Sequence, residues 1–528
     1  MSFDWSFPYG SRRSPVMAAN AVATTQPLAA QAGLEMLRRG GNAIDAALAT
    51  AIALTVVEPV SNGIGSDAFA LIWDGQALHG LNASGRSPKA WTPERFAGQS
   101  RMPVRGWEAV TVPGAVSAWV TVSQRFGQLP FETLFEPAVR YARDGFLVSP
   151  VIAQQWRAAA AELHERPGYA QAFMPNGRAP QAGELFRHPE QAETLRKIAA
   201  SHGEAFYRGE LAEKIAAHAR EHGAALSLDD LASHAPEWVT PLYQRYRDLT
   251  VAELPPNGQG IAALIALGIL EHFDLSAHQP DSVDSWHLQI EAMKHAFAEV
   301  YAHVADPTAM LRSPQELLDP ALLRSIADSI SLERASKPVS RLPFNSGTVY
   351  LSAADSAGRM VSFIQSNYMG FGSGVVIPGT GISLQNRGAG FSLDQRHPNC
   401  VAGGKRPFHT IIPGFVLDAS GAATSFGVMG GNMQPQGHVQ VLVRMRDFGQ
   451  NPQAAADAPR WKVNEDMTLS LEETVDPRLA EALAARGHVI APPRGGYFEF
   501  GSAQIVHRVP GGYLAASDPR RDGQAVGF

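Results

Sequence analysis

Residues 345–366 read NSGTVYLSAADSAGRMVSFIQS, and the interpretation of the whole chain depends on this stretch. From Thr348 onward, polar and apolar side chains alternate, which is the period of a half-buried β-strand. A turn at Ala357-Gly358 is followed by a second strand-like run, Met360 to Ser366, so the stretch predicts a β-hairpin. The first polar residue of this hairpin is a threonine that directly follows a glycine, Gly347.

A threonine inside a folded chain is normally inert. If the chain is cut just before Thr348, the hydroxyl gains a neighbouring α-amine, which titrates near pH ~8 and can act as its base. Glycine at position 347 lacks the Cβ that would obstruct attack of the hydroxyl on the preceding carbonyl. From the residues alone, Thr348 is either an ordinary strand residue or a nucleophile freed by cleavage.

Composition narrows the class of protein. The 528 residues are 45% apolar and 18% charged, which is typical of a soluble globular protein with several domains or one large fused unit. The net charge is −6 without a basic run, so nucleic acid is not expected as a partner. The single cysteine, Cys400, excludes disulfides within the chain. The first residues do not resemble a signal peptide and residues 46–57 are too short to span a bilayer, so we expect a cytoplasmic protein without a membrane partner.

Helical and strand patterns occur in blocks along the chain. Residues 25–39 and a segment capped by Asn42 predict two helices, and Val283 to His303 predicts a core-facing helix within a mostly helical region, residues 110–330. Strand-like runs occur at residues 68–73, 77–81, 414–417 and 425–429. Strands bracketed by helices indicate a layered α+β or α/β domain. Residues 335–347, with Lys337-Pro338 and Leu342-Pro343, predict an exposed connector.

Several common catalytic signatures are missing. The chain has no G-x-S-x-G, Walker A or G-x-G-x-x-G motif, which disfavours serine-hydrolase and nucleotide-binding functions. His397, Cys400 and His409 do not match a zinc spacing and are interpreted as loop residues. We expect neither a metal nor an organic cofactor.

Seven further motifs carry a resemblance to a known family: QPLAAQAG (26–33), LRRGGNAIDAA (37–47), GIGSDAF (63–69), EAMKHAFAE (291–299), KRP (405–407), MGG (429–431) and ASDPR (516–520). With the Gly347-Thr348 region, they resemble the γ-glutamyltranspeptidase family of N-terminal-nucleophile hydrolases in order and spacing, along nearly the whole chain. The resemblance implies an α+β fold, the four-layer αββα sandwich of these hydrolases. It also implies self-cleavage into a large subunit, residues 1–347, and a small subunit, residues 348–528. The cleaved subunit is then the protein partner, and a dimer of such heterodimers is a further expectation.

The catalytic residues of the family match this chain position by position. Thr348 matches the nucleophile, and Ser366 stands where the family has a threonine hydroxyl beside it. Gly430 and Gly431 match the backbone N–H groups of the oxyanion hole, and adjacent glycines allow such close approach. Without the resemblance, this glycine pair would be interpreted as a turn.

The substrate-binding positions depart from the family. Arg387 replaces a glutamine and Gly390 replaces the aspartate that binds the substrate α-amino group. An ammonium beside Arg387 would be unfavourable by about 1 kcal/mol or more, whereas arginine can bind a carboxylate bidentately. The alternative for Arg387 is a structural ion pair.

Other departures from the family pattern also change residues expected to bind the substrate. If Pro88 anchors the alignment, Ser84 takes the position of the family's carboxylate-binding arginine and Arg86 lies two residues later. His409-Thr410 replaces a serine pair, and Tyr368 replaces an asparagine. The loop between residues 391 and 405 is short compared with the family's lid, which favours hydrolysis over transfer to an acceptor.

The pattern therefore predicts an amidohydrolase for a small carboxylate-bearing amide without an α-amine. The branch that the chain resembles most is the oxamate amidohydrolase group of purine breakdown, with oxalate and ammonia as products, or its sister group of γ-glutamyltransferase-like proteins, which the motifs do not separate from it. Arg387, Tyr368, His409, Thr410 and Arg86 are the predicted substrate-binding residues. A γ-glutamyl hydrolase or transferase acting on glutathione-like substrates is the first alternative, and an unprocessed binding or structural protein is the second.

Overall fold

The computed structural model describes residues 12–337, 347–493 and 499–528. The strands are β1 Val16–Ala18, β2 Ala21–Thr24, β3 Asp67–Trp73, β4 Leu78–Asn82, β5 Phe146–Leu147, β6 Leu185–Phe186, β7 Glu237–Val239, β8 Leu242–Tyr246, β9 Leu249–Glu253, β10 Gly347–Ala354, β11 Met360–Tyr368, β12 Val376–Ile377, β13 Ile382–Ser383, β14 Gly414–Asp418, β15 Gly421–Met429, β16 Trp461–Val463, β17 Leu469–Leu471, β18 Ser502–Val509, β19 Gly512–Ser517 and β20 Gln524–Gly527.

The helices are α1 Pro27–Arg38, α2 Ala43–Val57, α3 Ala115–Phe126, α4 Glu136–Asp144, α5 Pro150–Leu163, α6 Tyr169–Phe173, α7 Pro189–Ala200, α8 Glu204–Tyr207, α9 Glu210–Glu221, α10 Leu228–Ala232, α11 Ile261–Leu270, α12 Val283–His303, α13 Pro314–Leu317, α14 Pro320–Ser329, α15 Met433–Arg446, α16 Pro452–Asp457 and α17 Pro477–Ala485. Short 3-10 turns include Arg387–Gly390.

The predicted hairpin is confirmed and lies near the centre of a sheet. β10 and β11 pair antiparallel, and their sheet has the order β20-β2-β10-β11-β3-β4-β7. A second seven-stranded sheet has the order β1-β19-β18-β15-β14-β9-β8, and the pairings given for both sheets are antiparallel. The chain is thus mixed α+β with antiparallel sheets, as the sequence predicts.

Each sheet buries both of its faces. Along β10 and β11, Val349, Leu351, Val361 and Phe363 lie in a core that includes residues of α1 and α2. The alternate residues of the same strands, such as Tyr350, lie in a core shared with the other sheet. The outer face of that other sheet packs on α11, α12 and α15. Period-two alternation therefore separates a helix-facing side from a sheet-facing side in each sheet.

The two sheets are connected by hydrogen bonds from hydroxyl groups as well as by apolar contacts. Ser352 Oγ on β10 donates to the carbonyl oxygen of Ser425 on β15 at 3.1 Å, and Ser425 Oγ donates to the carbonyl oxygen of Val361 at 2.8 Å. Within the hairpin itself, the hydroxyl oxygens of Tyr350 on β10 and Ser362 on β11 lie 2.7 Å apart. The hairpin that begins at Thr348 is therefore held from the opposite sheet.

The local signals for helices are confirmed. Asn42 caps α2 in a capping box, because its side chain accepts from the N–H of Asp45 while the Asp45 carboxylate accepts from the N–H of Asn42. α12 spans Val283–His303 as predicted. No helix in the described ranges is long and apolar enough to cross a membrane.

The structure adds strands to one predicted region and describes only part of another. The region 110–330, mostly helical as predicted, also contains the five strands β5 to β9, of which β8 and β9 form the edge of the second sheet. The connector is described only up to residue 337 and again at residue 347, so its predicted exposure at residues 338–346 lies outside the described residues.

The contact between the sheets yields a stability prediction. A Cβ added at Gly427 on β15 would lie 2.4 Å from the Tyr350 ring, so Gly427→Ala should lower the free energy of unfolding by about 1–3 kcal/mol. Gly370→Ala is the matched control, because its new Cβ would meet its nearest neighbour at an ordinary 3.7 Å. Urea denaturation of both variants in a Thr348→Ala background checks this. Equal stability of the two variants would contradict the packing described here.

Candidate active site

The position of Thr348 is set by an irregularity in the central hairpin. Gly347 pairs with Tyr368, but Val349 pairs with Gln365, so β11 carries one extra residue opposite Thr348. Such a bulge bends the strand and redirects side chains, and bulges are over-represented next to active sites. Thr348 is fully buried, and its Oγ1 donates to Ser366 Oγ at 3.1 Å.

Tyr368, two residues after Ser366, holds the Ser366 hydroxyl and changes the direction of the backbone. The backbone N–H of Tyr368 donates to Ser366 Oγ at 2.8 Å, which fixes the hydroxyl that faces Thr348. Tyr368 itself has φ +78°, a left-handed conformation that costs a non-glycine residue about 1–2 kcal/mol. The strain accompanies the bulge and turns the Tyr368 side chain out of the regular strand pattern.

The Arg387 guanidinium lies over the aromatic ring of Tyr368. Its guanidinium carbon is 4.6 Å from the centroid of the Tyr368 ring, and its Nη1 donates to Thr410 Oγ1 at 2.7 Å. The side chain is buried, and among the described residues its Nε and Nη2 have no hydrogen-bond partner. Burial lowers the pKa of Arg387 to about 10, opposed by the nearby Asp67, so the group stays cationic at neutral pH. The described residues therefore offer it no ion pair in direct contact.

Gln259 connects the glycine pair to this cluster. Its Nε2 donates to the carbonyl oxygen of Thr410 at 2.6 Å and to that of Gly431 at 2.9 Å. Gly430 and Gly431 have φ values of +131° and +58°, conformations that favour glycine. Their carbonyl groups accept from the N–H groups that begin α15, so the turn is tied to the first turn of a helix.

Asp67 and His409 form a buried pair on the other side of Ser366. Asp67 pairs with Ser366 across β3 and β11, and its Oδ2 lies 3.1 Å from His409 Nε2. Burial raises the pKa of Asp67 to about 7, although the Arg387 guanidinium opposes the shift. Burial also lowers the pKa of His409 well below its usual value, with Arg387 adding to the effect, so its imidazole is neutral at pH 7.

One predicted residue lies apart from the others. Arg86 is partly exposed and forms ion pairs with Asp306 at 3.1 Å and Glu237 at 3.3 Å. It lines a separate cavity of about 140 Å³ with Arg406 and His234. The structure therefore brings Thr348, Ser366, Tyr368, Arg387, Thr410, His409 and Gly430-Gly431 into one chain of contacts and leaves Arg86 out of it.

Sequence reasoning assigned no role to Asp67 and Gln259. Asp67 was visible as an acidic residue at the start of an otherwise apolar strand that follows a glycine-rich turn, a position where a carboxylate needs a specific reason. Gln259 follows Pro255-Pro256-Asn257-Gly258 in a loop, and no spacing connects it to residues 150 positions later. Only the fold could reveal its contacts.

A cavity of about 670 Å³ borders this cluster. Tyr368, Gly390 and Phe408 are the lining residues next to the catalytic candidates, and the remaining walls combine apolar residues such as Met102 and Phe391 with polar ones, Arg101, Asp394 and His397 among them. The hydroxyl of Tyr301 is buried and has no hydrogen-bond partner among the described residues. The cavity can hold an apolar group larger than a few atoms.

The chain is similar to known proteins along nearly its whole length. The gamma-glutamyltranspeptidase family model matches residues 29–528. The oxamate amidohydrolase proenzyme of Klebsiella pneumoniae subsp. pneumoniae is 38% identical, with 95% of this chain and 97% of the relative covered. The glutathione hydrolase-like YwrD proenzyme of Bacillus subtilis is 36% identical, with 98% and 100% covered. A crystal structure of a cephalosporin acylase from Bacillus halodurans has a TM-score of 0.95 at 49% identity, covering 100% of this chain and 99% of its own.

The chain belongs to the γ-glutamyltranspeptidase family. It is an enzyme, a C–N bond hydrolase of the N-terminal-nucleophile type, as the predicted resemblance implies. The relatives act on different amides by name, so family membership does not settle the substrate.

The raised pKa of Asp67 predicts a pH-dependent stability. Its carboxyl ionises near pH 4 when unfolded but near pH 7 when folded, so the folded state binds more protons between these values and stability falls as pH rises through that range. Asp67→Asn removes this titration. We expect the melting temperature of Asp67→Asn minus that of the parent, both in a Thr348→Ala background, to increase from pH 4 to pH 7 and then level off. A difference that stays constant from pH 4 to pH 8 would contradict the assignment.

Proposed function

We propose that the protein is a self-processing amidohydrolase that cleaves a small carboxylate-bearing amide through a threonyl acyl-enzyme, with oxamate as the first candidate substrate. The observation that carries the proposal is Arg387, a buried cation beside the Thr348 corner whose Nε and Nη2 have no described partner. Buried cations are stabilised by anions, and an arginine fork matches a carboxylate.

Processing is the first proposed step. The Thr348 hydroxyl attacks the carbonyl carbon of Gly347, the C–N bond of that peptide breaks, and the acyl group moves to the hydroxyl oxygen. Water then hydrolyses the ester. The products are a large subunit, residues 1–347, that ends in the Gly347 carboxylate and a small subunit, residues 348–528, that begins with the free amine of Thr348. On this proposal, residues 335–347 are the connector that is cut at its end.

Turnover repeats the same chemistry on the substrate. The Thr348 hydroxyl attacks the amide carbonyl while the α-amine accepts its proton. The N–H groups of Gly430 and Gly431 stabilise the tetrahedral oxyanion, and Arg387, supported by Thr410 and the Tyr368 ring, holds the carboxylate. The leaving amine takes the proton, and water cleaves the ester to release the acid. With oxamate, the products are oxalate and ammonia.

Ser366 and the pair Asp67–His409 have supporting roles in this proposal. Ser366 orients the Thr348 hydroxyl. The Asp67 carboxyl favours the charged form of Arg387, and Arg387 in turn opposes the rise in the pKa of Asp67 and helps to keep His409 neutral. Arg86 has no part in binding, since its ion pairs hold it elsewhere.

The large cavity favours a second candidate substrate. Its 670 Å³ exceed what oxamate needs and suit an amide with a longer acyl chain or a bulky apolar amine. The cephalosporin acylase similarity points to the same class. A γ-glutamyl substrate remains the alternative that the family suggests, although its ammonium would face Arg387. Ammonia release from oxamate, compared with hydrolysis of glutathione and of glutaryl amides, decides among the three.

The proposal also covers the layers of the fold, the assembly of the subunits, the location and the cofactors. The two sheets and their flanking helices are proposed to form the four-layer αββα sandwich of N-terminal-nucleophile hydrolases, with two such processed chains forming a dimer of heterodimers. A cytoplasmic location is proposed because the single cysteine requires no oxidising compartment. Neither a metal nor an organic cofactor has a step in this mechanism.

The nucleophile assignment is tested by two substitutions at one position. Thr348→Ala should remain a single band of 56.6 kDa on a denaturing gel and should be inactive, because no hydroxyl is left to attack. Thr348→Ser keeps the hydroxyl and should still be cut, with a new N-terminus at residue 348. A folded parent chain that stays intact would exclude the nucleophile and favour the binding-protein alternative.

Arg387 is tested against an arginine outside the site. Arg387→Met should lower kcat/KM for a carboxylate-bearing amide by about 30- to 1000-fold, since hydrogen bonds to a charged group contribute about 2–4 kcal/mol when buried. The effect should be much smaller for the same amide with its carboxylate esterified. Arg86→Met should change kcat/KM less than about threefold. Equal losses for the acid and the ester with Arg387→Met would show that Arg387 is only structural.

A further inference from the structure

A buried polar cluster lies on α12, and the proposed chemistry does not use it. His287, Glu291 and Lys294 occur at i, i+4 and i+7, so they share one face of the helix. His488, which follows α17, packs against them, and all four side chains are nearly or fully buried. We call these four residues the connector clamp.

The hydrogen bonds of the connector clamp fix the position of each proton. Lys294 Nζ lies 3.1 Å from Glu291 Oε1 and 3.0 Å from His488 Nδ1, and an ammonium can only donate. Since burial and the Lys294 charge lower the pKa of His488 to about 3, the neutral ring carries its proton on Nε2. That proton is donated to His287 Nδ1 at 2.8 Å. His287 must then donate from Nε2, and it does so to the carbonyl oxygen of Ser331 at 2.7 Å.

The same cluster could be mistaken for a metal site. Ligand atoms of His287, Glu291 and His488 all lie within 4.8 Å of one another. However, Lys294 already supplies the positive charge, because its ammonium contacts both Glu291 and His488. The donors and acceptors of the cluster satisfy each other without an additional ion.

What the connector clamp binds is the backbone of the connector. Glu291 Oε2 accepts from the N–H of Ser336 at 2.8 Å, and Lys294 Nζ lies 3.4 Å from the Ser336 carbonyl oxygen. With the Ser331 contact, the clamp holds both ends of residues 331–336. Between them, the N–H of Ala335 donates to the carbonyl oxygen of Arg486 at 2.7 Å. A segment rich in exposed residues is thus held by buried charged groups.

We propose that the connector clamp is a positioning site for self-cleavage, which holds residues 331–336 so that the chain delivers the Gly347 carbonyl to the Thr348 hydroxyl. This inference rests on the proposed self-processing. Its residues come from both sides of the cleavage point, α12 before it and His488 after it, so the clamp forms only when both parts have folded together. The clamp therefore couples completion of the fold to the cut.

The expected change in cleavage rate distinguishes a clamp that directs the path of the connector from one that only shortens the chain between itself and Thr348. If the clamp is released, the number of residues between the last held residue and Thr348 grows from 11, residues 337–347, to at most 18, residues 330–347 counted from the end of α14. Loop-closure entropy changes the probability of closure by only about twofold for such a lengthening. A larger effect on cleavage requires that the clamp directs the path of the connector.

The first test measures the rate of cleavage of Lys294→Met. In a cell-free translation time course followed on denaturing gels, cleavage should slow at least fivefold relative to the parent. Once cleaved, the variant should have kcat and KM each within about twofold of the parent. Asp447→Asn is the control, because Asp447, like Lys294, is a buried partner in an ion pair but binds Arg247 and Tyr246 rather than the connector.

A second variant avoids any change in the core. Ser336→Pro removes the N–H that Glu291 accepts and leaves α12 and His488 intact. It should also slow cleavage at least fivefold, whereas Arg334→Pro, at an exposed position two residues earlier, should slow it less than twofold.

The outcomes distinguish the two proposals. A parent chain that is never cut overturns the proposed self-processing and the inference with it. Parent cleavage with Lys294→Met and Ser336→Pro both within twofold of its rate overturns the positioning site alone. So does a fivefold slowing that Asp447→Asn and Arg334→Pro reproduce, or a cleaved Lys294→Met enzyme with impaired kcat, since either indicates general destabilisation.

Discussion

The contact between Thr348 Oγ1 and Ser366 Oγ, 3.1 Å across the central hairpin, is the constraint on which the site depends. It exists because β11 carries one more residue than β10 at that point. A regular ladder would place Thr348 opposite a single partner, whereas the bulge sets it against Ser366 and its neighbour. The left-handed Tyr368 belongs to the same distortion, and its side chain is buried beside Arg387. The strain is thus supported by the surrounding core.

Electrostatics is the second constraint. Arg387, Asp67 and His409 are all buried, Arg387 and Asp67 each influence the pKa of the other, and Arg387 also lowers the pKa of His409. Placing a guanidinium there is costly unless something anionic balances it. Asp67 is only partly able to do so, because burial raises its own pKa to about 7 and so favours the protonated, neutral form. An anionic substrate group would compensate the remaining charge, which is why the proposal gives Arg387 this role rather than a structural one.

α12 shows how one helix serves two purposes. Its apolar stripe, including Trp286, Ile290 and Met293, packs into the core beneath the second sheet. Another face carries His287, Glu291 and Lys294, which bind the backbone of residues 331–336. The sequence pattern indicates only the first purpose, because hydrophobic periodicity identifies a core-facing stripe. The polar residues find their partners through His488, which is distant in sequence.

The sequence by itself determined the hairpin, the approximate spans of α1 and α12, the span and N-cap of α2, the α+β class and the family, since these depend on local periodicity and on motifs with fixed spacing. It also identified Thr348, Ser366, Arg387 and Gly430-Gly431 as candidates. Only the tertiary structure decided which candidates meet. It placed Arg86 in an exposed ion-pair cluster and Arg387 beside Tyr368. It also added Asp67 and Gln259, whose partners lie 342 and 151 to 172 positions away. Burial, register and the pKa shifts that follow from them arise from packing between distant segments, which no local pattern encodes.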